Sequence, residues 1–341
     1  MFNIHPKRLR VKNKSNYIIF PFFILENQNT LSKNRVSIFK EKDMTVNWKG
    51  VIPAVTTQFK DDYSIDLYGT QKVVEDLIDD GVSGLVICGT VGEGCSLTAN
   101  EKRIIIEMAV ATSGGQVPVI IGDAEYTTQM AADLAKDCQK LGADGLMLLP
   151  AMVYAAKPKE TITHFETVAK ASDLPIMIYN NPPSYKIDIT AEMAAEMAKI
   201  DTIVAIKESS GDTRRFIDLQ NAVGDKLDLY CGLDDVVFEC LKLGAKGWVS
   251  GMSNVFPKEG EALFKYAMEG NDAKALEVYR WFMPLLHLDA RPDLVQCIKL
   301  CEQIAGRGTE LTRPPRLILE GEDRTYVEKI MAEALKNKPP L

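Results

Sequence analysis

From residue 49 the chain alternates between two hydrophobic patterns. The first is a short, continuous apolar run: Gly50–Thr56, Gly84–Cys88, Pro118–Gly122, Gly145–Leu149, Pro175–Tyr179, Ile203–Lys207, Leu227–Cys231 and Gly247–Gly251. A run without polar alternation fits a strand buried on both faces, as in parallel sheets. The second pattern is an amphipathic stripe at helical spacing, such as Val73, Val74, Leu77 and Ile78. Most run starts lie about 25–35 residues apart, the length of a βα unit, and the last gap is shorter. A four-residue marker, Gly142-Ala143-Asp144-Gly145, recurs as Gly81-Val82-Ser83-Gly84 and Gly244-Ala245-Lys246-Gly247. Each predicts a helix C-cap and the turn into the next strand.

Eight alternating units predict a parallel (β/α)8 TIM barrel, with an open doubly wound sheet as the alternative. Beyond the eighth run the pattern turns helical, over Glu259–Met268, Asp272–Leu286, Asp293–Ala305 and Asp323–Leu335. The expected organisation is an N-terminal extension over residues 1–45, the barrel over 46–258, and a C-terminal helical appendage over 259–341, packed on the barrel.

Composition adds boundaries. The 341 residues are 46% hydrophobic and 26% charged, a globular profile able to bury a large core. The formal net charge of −7 argues against a general nucleic-acid surface. Seven cysteines include no CxxC pair, and most fall in apolar runs, as expected of reduced core thiols in a cytoplasmic protein. With three histidines, His5, His164 and His287, a His-rich metal site is excluded. The first 45 residues hold nine Lys/Arg against three acids, so the remainder carries −13. The apolar run Tyr17–Leu25 contains Pro21, is too short to span a bilayer, and is followed by no small-residue cleavage site. Residues 1–43 are therefore expected to be an upstream extension that is non-native or poorly ordered, with Met44 as the working start.

Candidate chemistry sits at the run ends. Lys207 closes the run Ile203–Ile206 and is followed by a Gly-containing turn and a helix. Burial in an apolar pocket pushes a lysine toward its neutral amine, which can attack a ketone and form an imine. Tyr179 ends the fifth run, and Gly89-Thr90-Val91-Gly92-Glu93-Gly94 follows the second. In a parallel barrel these ends share one face, where barrel active sites lie. An amine, a phenol and a hydroxyl among glycines form the layout of an imine-forming lyase.

Over residues 49–335 the chain resembles the dihydrodipicolinate synthase/N-acetylneuraminate lyase family of class I Schiff-base lyases. The resemblance rests on Gly50–Thr57 with Phe59, on Gly89–Gly94 with Ser96-Leu97-Thr98 and Glu101-Lys102, on Tyr179-Asn180 with Pro182, and on Ile206-Lys207-Glu208 with Gly211. It implies that Lys207 forms the imine with a 2-keto acid, that Tyr179 relays protons, and that Thr90 positions Tyr179. It places the substrate carboxylate on the turn at Gly89, Thr90 and Val91, with the backbone near Val249 also lining the site. Backbone N–H groups leading into a helix suit a carboxylate.

Two departures bear on the substrate. Val91 stands where the synthase branch has a second threonine, and Ser184 where it has a carboxylate-gripping arginine. Loss of a bidentate cation argues against a dicarboxylate product. Tyr154 only approximates the synthase's paired tyrosines after strand four, and would be either a substrate-side residue across a subunit contact or a packing residue. The segments Asn180–Asp188, Asp293–Leu300 and Arg313–Leu319 look most like the branch that deaminates 1-pyrroline-4-hydroxy-2-carboxylate in hydroxyproline breakdown. The alternatives are 4-hydroxy-tetrahydrodipicolinate synthase, a 2-keto-3-deoxy sugar acid aldolase or dehydratase, and a non-catalytic barrel paralogue.

Of the remaining polar residues, Asn181 is a candidate for substrate hydroxyls. Glu93 is expected to cap a helix or pair with a backbone donor. Glu208 is expected to be structural, since neighbours on a strand face opposite ways. Asp234 and Asp235 are expected to cap a helix rather than bind a metal. No metal or organic cofactor is implied, because the lysine itself supplies the electron sink. The expected partners are a small 2-keto acid or pyrroline carboxylate and further copies of the chain, as a dimer or tetramer, with no nucleic acid and no membrane.

Overall fold

Residues 46–341 are described by a computed structural model; the expectations for residues 1–45 lie outside the described residues. Eight short strands form one parallel sheet: β1 (Gly50–Pro53), β2 (Leu85–Ile87), β3 (Val119–Asp123), β4 (Gly145–Leu148), β5 (Ile176–Asn180), β6 (Ile203–Glu208), β7 (Asp228–Cys231) and β8 (Gly247–Ser250). The sheet runs β1-β8-β7-β6-β5-β4-β3-β2. Ala54 bridges Val86 in parallel and Val55 donates to the Val86 carbonyl, which joins β1 to β2 and completes the ring. The architecture is the (β/α)8 barrel predicted from the alternation, not the open sheet. All eight strands fall at the predicted runs. β1 is shorter than its run because the chain beyond Pro53 leaves β8 and turns to Val86.

The intervening helices are α1 (Leu67–Asp79), α2 (Ala99–Ser113), α3 (Thr128–Leu141), α4 (Pro158–Ala169), the four-residue α5 (Pro182–Tyr185), α6 (Ala191–Met197), α7 (Arg214–Val223) and α8 (Val237–Lys242). The glycine markers behave as helix stops: Gly81, Gly142 and Gly244 take φ of +88°, +84° and +98°, a region that costs a side chain more than it costs glycine. At the other end of α2, Thr98 and Glu101 form a reciprocal capping box. Trp48 lies against Gly145, the first residue of β4, and its carbonyl accepts from the Tyr230 hydroxyl, so it plugs the N-terminal mouth of the barrel.

After β8 come α9 (Pro257–Met268), α10 (Asp272–Asp289), α11 (Leu294–Ile304) and α12 (Gly321–Lys336). The first of them packs on β1 and α8 and so completes the ring of barrel helices; the other three pack outside it. Phe282 of α10 meets both Trp248 of β8 and Phe256 edge-on, with ring centroids 6.3 and 6.0 Å apart. The Tyr279 hydroxyl donates to the Asp235 carbonyl at 2.7 Å, and His287 Nδ1 lies 2.9 Å from the Asp235 carboxylate. These contacts bind α10 to the loop after β7 and carry its C-terminal end to the open face of the barrel. No helix among the described residues is long and apolar enough to cross a membrane.

Candidate active site at the C-terminal face of the barrel

A cavity of about 570 Å³ lies at the C-terminal ends of the strands. Of the candidate residues, Thr90, Val91, Tyr179, Lys207 and Val249 line it, as do Asn181 and Ser184. Lys207 is only 6% exposed. It pairs in register with Tyr179 of the neighbouring strand, and its Nζ lies 4.0 Å from the Tyr179 ring centroid. Burial pulls the Lys207 ammonium below its ordinary range, opposed by the charges of Asp289, Tyr185 and Asp234. Gly232 makes room for the lysine stem: a Cβ there would sit 2.6 Å from Lys207 Cγ and 2.7 Å from Cε. An amine at a cavity wall whose charged form burial disfavours is suited to imine formation.

Tyr179 is buried, and burial raises the proton affinity of its phenolate. Its hydroxyl accepts from Asn181 Nδ2 at 3.1 Å. Asn181 Oδ1 in turn accepts from the Ser184 N–H at 3.1 Å and caps α5. Both ends of the Asn181 amide are thus spent inside the protein, on holding Tyr179 and the α5 turn. Thr90 is placed differently from the expectation. Its hydroxyl bonds to the Tyr185 phenol rather than to Tyr179. Tyr185 stands edge-on to Tyr179, with centroids 5.7 Å apart at 81°. The three residues form a row, Thr90–Tyr185–Tyr179, with Tyr185 in the middle.

The Gly-rich turn is held in a strained form. Cys88 and Glu93 both take left-handed φ, 59° and 54°, which is unusual for residues with side chains. The N–H groups of Thr90 and Val91 meet no acceptor among the described residues, while the Gly94 N–H closes the turn on the Gly89 carbonyl at 3.0 Å. Two free N–H groups lining the same cavity as Lys207 have the geometry of an anion cradle. Gly89 itself does not line the cavity. It lies behind the turn, where a Cβ on Gly122 would come within 2.6 Å of the Gly89 Cα. Tyr154 is also outside the cavity of this chain and is 60% exposed.

The acidic residues divide as follows. Glu208 points away from Lys207 and accepts from Asn180 Nδ2 at 2.9 Å, the Ser210 N–H at 2.6 Å and Arg215 Nε at 3.3 Å. Glu93 caps no helix. It is fully buried, 3.2 Å from Lys299 Nζ, and accepts from the Arg313 N–H at 3.0 Å. The lysine bonds the Thr57 carbonyl at 2.8 Å as well, so α11 anchors the Gly-rich turn. Asp234 was expected to cap a helix, and it does not. It turns instead to the end of β8, accepting from Trp248 Nε1 at 2.8 Å, Ser250 Oγ at 3.1 Å, and the N–H groups of Gly251 at 3.3 Å and Met252 at 2.8 Å. Burial still raises its pKa to about 6 against these donors.

Among the residues that the structure adds to the cavity beyond the sequence-predicted ones are Tyr185, Lys186, Asp289 and Arg291. Tyr185 and Lys186 lie within a segment already singled out, but only the tight α5 turn shows that they fold back over Tyr179. Asp289 ends α10 and Arg291 lies in the link to α11, a corner that carries no local mark of a site.

The whole-chain comparisons agree with this geometry. The family model described as the dihydrodipicolinate synthetase family matches residues 47–334. The 4-hydroxy-tetrahydrodipicolinate synthase of Methanothrix thermoacetophila is 34% identical over 290 residues, covering 84% of this chain and 97% of the relative. That of Alkaliphilus oremlandii is 32% identical over 248 residues, covering 72% and 85%. YagE, a prophage protein of the dihydrodipicolinic acid synthase family from E. coli K12, solved in complex with pyruvate, superposes with a TM-score of 0.81 at 27% identity, covering 85% of this chain and 99% of its own. With the matched span taking in all eight strands and both the lysine and tyrosine strand ends, the chain belongs to the dihydrodipicolinate synthetase family of class I lyases.

Proposed function

We propose that the protein is a lysine Schiff-base lyase whose substrate is a cyclic imine acid, 1-pyrroline-4-hydroxy-2-carboxylate, which it opens, dehydrates and deaminates. The observation that carries the Schiff-base step is the buried Lys207 amine, with no carboxylate in ion-pair contact among the described residues, set over Tyr179 in the cavity wall. The substrate carboxylate would lie on the Thr90 and Val91 N–H groups. Lys207 would add to C2, and the ring nitrogen would leave as a primary amine on C5. Loss of a C3 proton, passed by the Tyr179 phenol to water, gives an enamine, which then expels the C4 hydroxyl as water. Loss of a C5 proton and reprotonation of the carbon chain at C3 and C4 then move the unsaturation to C5, turning the C5 amine into an imine. Two hydrolyses, of the C5 imine and of the lysine imine, release ammonia and 2,5-dioxopentanoate. One water is consumed overall.

The choice of substrate rests on the anion sites. Ser184 takes the place of the synthase arginine, and Arg291 on the same wall is already held by Asp293 at 2.7 Å and by Asp323 at 2.8 Å. This leaves one built carboxylate site, which suits a monocarboxylate. A second reading, condensation of pyruvate with aspartate semialdehyde, is favoured by the names of the relatives and by Lys186, whose ammonium on the cavity wall donates to the Pro183 carbonyl at 2.6 Å. A cytoplasmic homo-oligomer is part of the same proposal, consistent with a net charge of −7 and seven cysteines, none in a disulfide.

The test is a substrate panel with product identification. The pyrroline, pyruvate with aspartate semialdehyde, and 2-keto-3-deoxy sugar acids are assayed for ammonia, pyruvate and oxo-acid products, with borohydride trapping in parallel. Ammonia release from the pyrroline and a trapped adduct on Lys207 are expected. Robust condensation with silence on the pyrroline selects the second reading, and silence throughout, without adduct, selects a non-catalytic barrel.

A further inference from the structure

Part of the cavity wall is formed by the corner between α10 and α11, and it carries a buried carboxylate. Asp289, the last residue of α10, is 9% exposed and lines the cavity with Lys207, Tyr179 and Gly251. Among the described residues it is the only carboxylate on that wall. Apart from the neighbouring Asp234 backbone N–H, no group among the described residues donates to it, and no cation forms an ion pair with it. A buried acid without a dedicated partner costs stability unless function uses it. Gly251 keeps the space free: a Cβ there would fall 2.1 Å from Asp289 Oδ1. The residue feels the charge of Lys207, and Lys207 and Tyr179 feel its charge in return, so it faces the same volume as the imine.

We propose that Asp289 is the acid that protonates the departing C4 hydroxyl in the elimination step, a role that rests on the proposed reading of the substrate. In that step the enamine electron pair at C3 forms the C3–C4 double bond and restores the lysine iminium. The C4–O bond breaks, and the oxygen leaves as water with the Asp289 carboxyl proton. The resulting carboxylate recovers a proton from solvent before the next turnover. Burial supports the assignment, because it raises Asp289 well above the ordinary carboxylate range and so favours the protonated acid over the carboxylate. A hydroxyl leaving group needs such help, since hydroxide departs poorly, whereas imine formation and C3 deprotonation do not involve this group. The assignment thus separates early steps, run by Lys207 and Tyr179, from a late step run by the C-terminal helices.

The experiment follows both halves of the reaction in the full-length protein, with the pyrroline as substrate. In Asp289→Asn, ammonia release should fall about 10²–10⁴-fold, the usual worth of a general acid. Borohydride trapping on Lys207 and solvent deuterium uptake at C3 should persist, because the enamine forms and is then reprotonated. Gly251→Ala, which displaces the carboxylate without removing it, should lower the same step while the circular-dichroism spectrum stays that of the wild type. Unchanged ammonia release in Asp289→Asn overturns the role. So does an equal loss of trapping and exchange, which would make Asp289 only a counter-charge to Lys207. If the wild type releases no ammonia from the pyrroline, the proposed function falls and this role with it; wild-type turnover with an unaffected Asp289→Asn removes the role alone.

Discussion

The Thr90 hydroxyl is hydrogen-bonded to the Tyr185 phenol, and only through that ring does it reach Tyr179. Tyr185 comes from the same chain, from the turn that Asn181 caps. The row therefore ties the Gly-rich turn to the Tyr179 ring through residues of one chain. It also means that Thr90 and Tyr185 share one interaction and should fail together.

Thr90→Val and Tyr185→Phe should each lower turnover by roughly tenfold, in line with about 0.5–1.5 kcal/mol for a lost hydrogen bond. The double variant should be no worse than the poorer single one, because both remove the same bond. Steady-state kinetics of the four proteins measures this, and independent, multiplying losses would show that the two side chains act separately.

Tyr179→Phe should retain adduct formation with Lys207 while turnover drops about 10²–10⁴-fold, the range for loss of a proton relay. Trapping yields set beside turnover rates separate the two effects. Turnover close to wild type would remove Tyr179 from the proton path.

Lys207→Met should abolish trapping yet leave the fold as stable as the wild type or up to about 2 kcal/mol more stable, since it removes a buried group whose charged form burial penalises. The folded-state pKa of Lys207 is lowered from 10.5 by burial. Between that lowered value and 10.5 the unfolded chain holds a proton that the folded chain has released, so the wild type gains stability as pH rises through this window. The variant should lack that gain. Chemical denaturation at a series of alkaline pH values reads it, and a parallel pH dependence in both proteins contradicts it.

Breaking the buried Lys299–Glu93 pair from one side should be costly. Lys299→Met leaves the buried Glu93 carboxylate with only the Arg316 guanidinium, at 3.9 Å, and should destabilise the protein by about 3–5 kcal/mol. Since Glu93 belongs to the turn that carries Thr90 and Val91, activity should fall before unfolding is complete. Adding Glu93→Gln should recover part of the stability, and a double variant no better than the single one would count against the pair as the cause.

Glu302 offers a stability test at mild acidity. Burial raises its pKa from 4.5 to about 7, opposed by the Thr56 hydroxyl bond and the Lys299 charge. From about 4.5 to about 7 the folded chain keeps a proton that the unfolded chain has lost, so this group's contribution to stability declines as pH rises. The slope is at most about 1.4 kcal/mol per pH unit. Glu302→Gln should flatten that part of the stability profile. A profile of unchanged shape would place the titration elsewhere.

The barrel was legible because parallel strands covered by helices are buried on both faces, and such strands appear as unbroken apolar runs. Local steric rules did the rest: Gly81, Gly142 and Gly244 mark helix ends because their backbone needs positive φ. Lys207 and Tyr179 stood out for a related reason, each being a polar residue at the end of an apolar run, and the barrel's geometry then puts strand ends on one face.

What the tertiary structure alone decided are relationships between residues far apart in the chain. The Glu93–Lys299 pair joins positions separated by 206 residues, and Thr90–Tyr185 joins positions separated by 95. Asp234 has a turn-like local sequence, but four donors from the end of β8 capture its carboxylate and outweigh capping. Asp289 looks from its neighbours like any acid at a helix end. Its burial against Gly251 exists only because α10 packs on the loop after β7 and delivers its last turn to the open face of the barrel. Sequence by itself determined the elements and the two side chains at strand ends, since both follow from local periodicity. Which side chains enclose them depended on packing between distant elements, which no local pattern encodes.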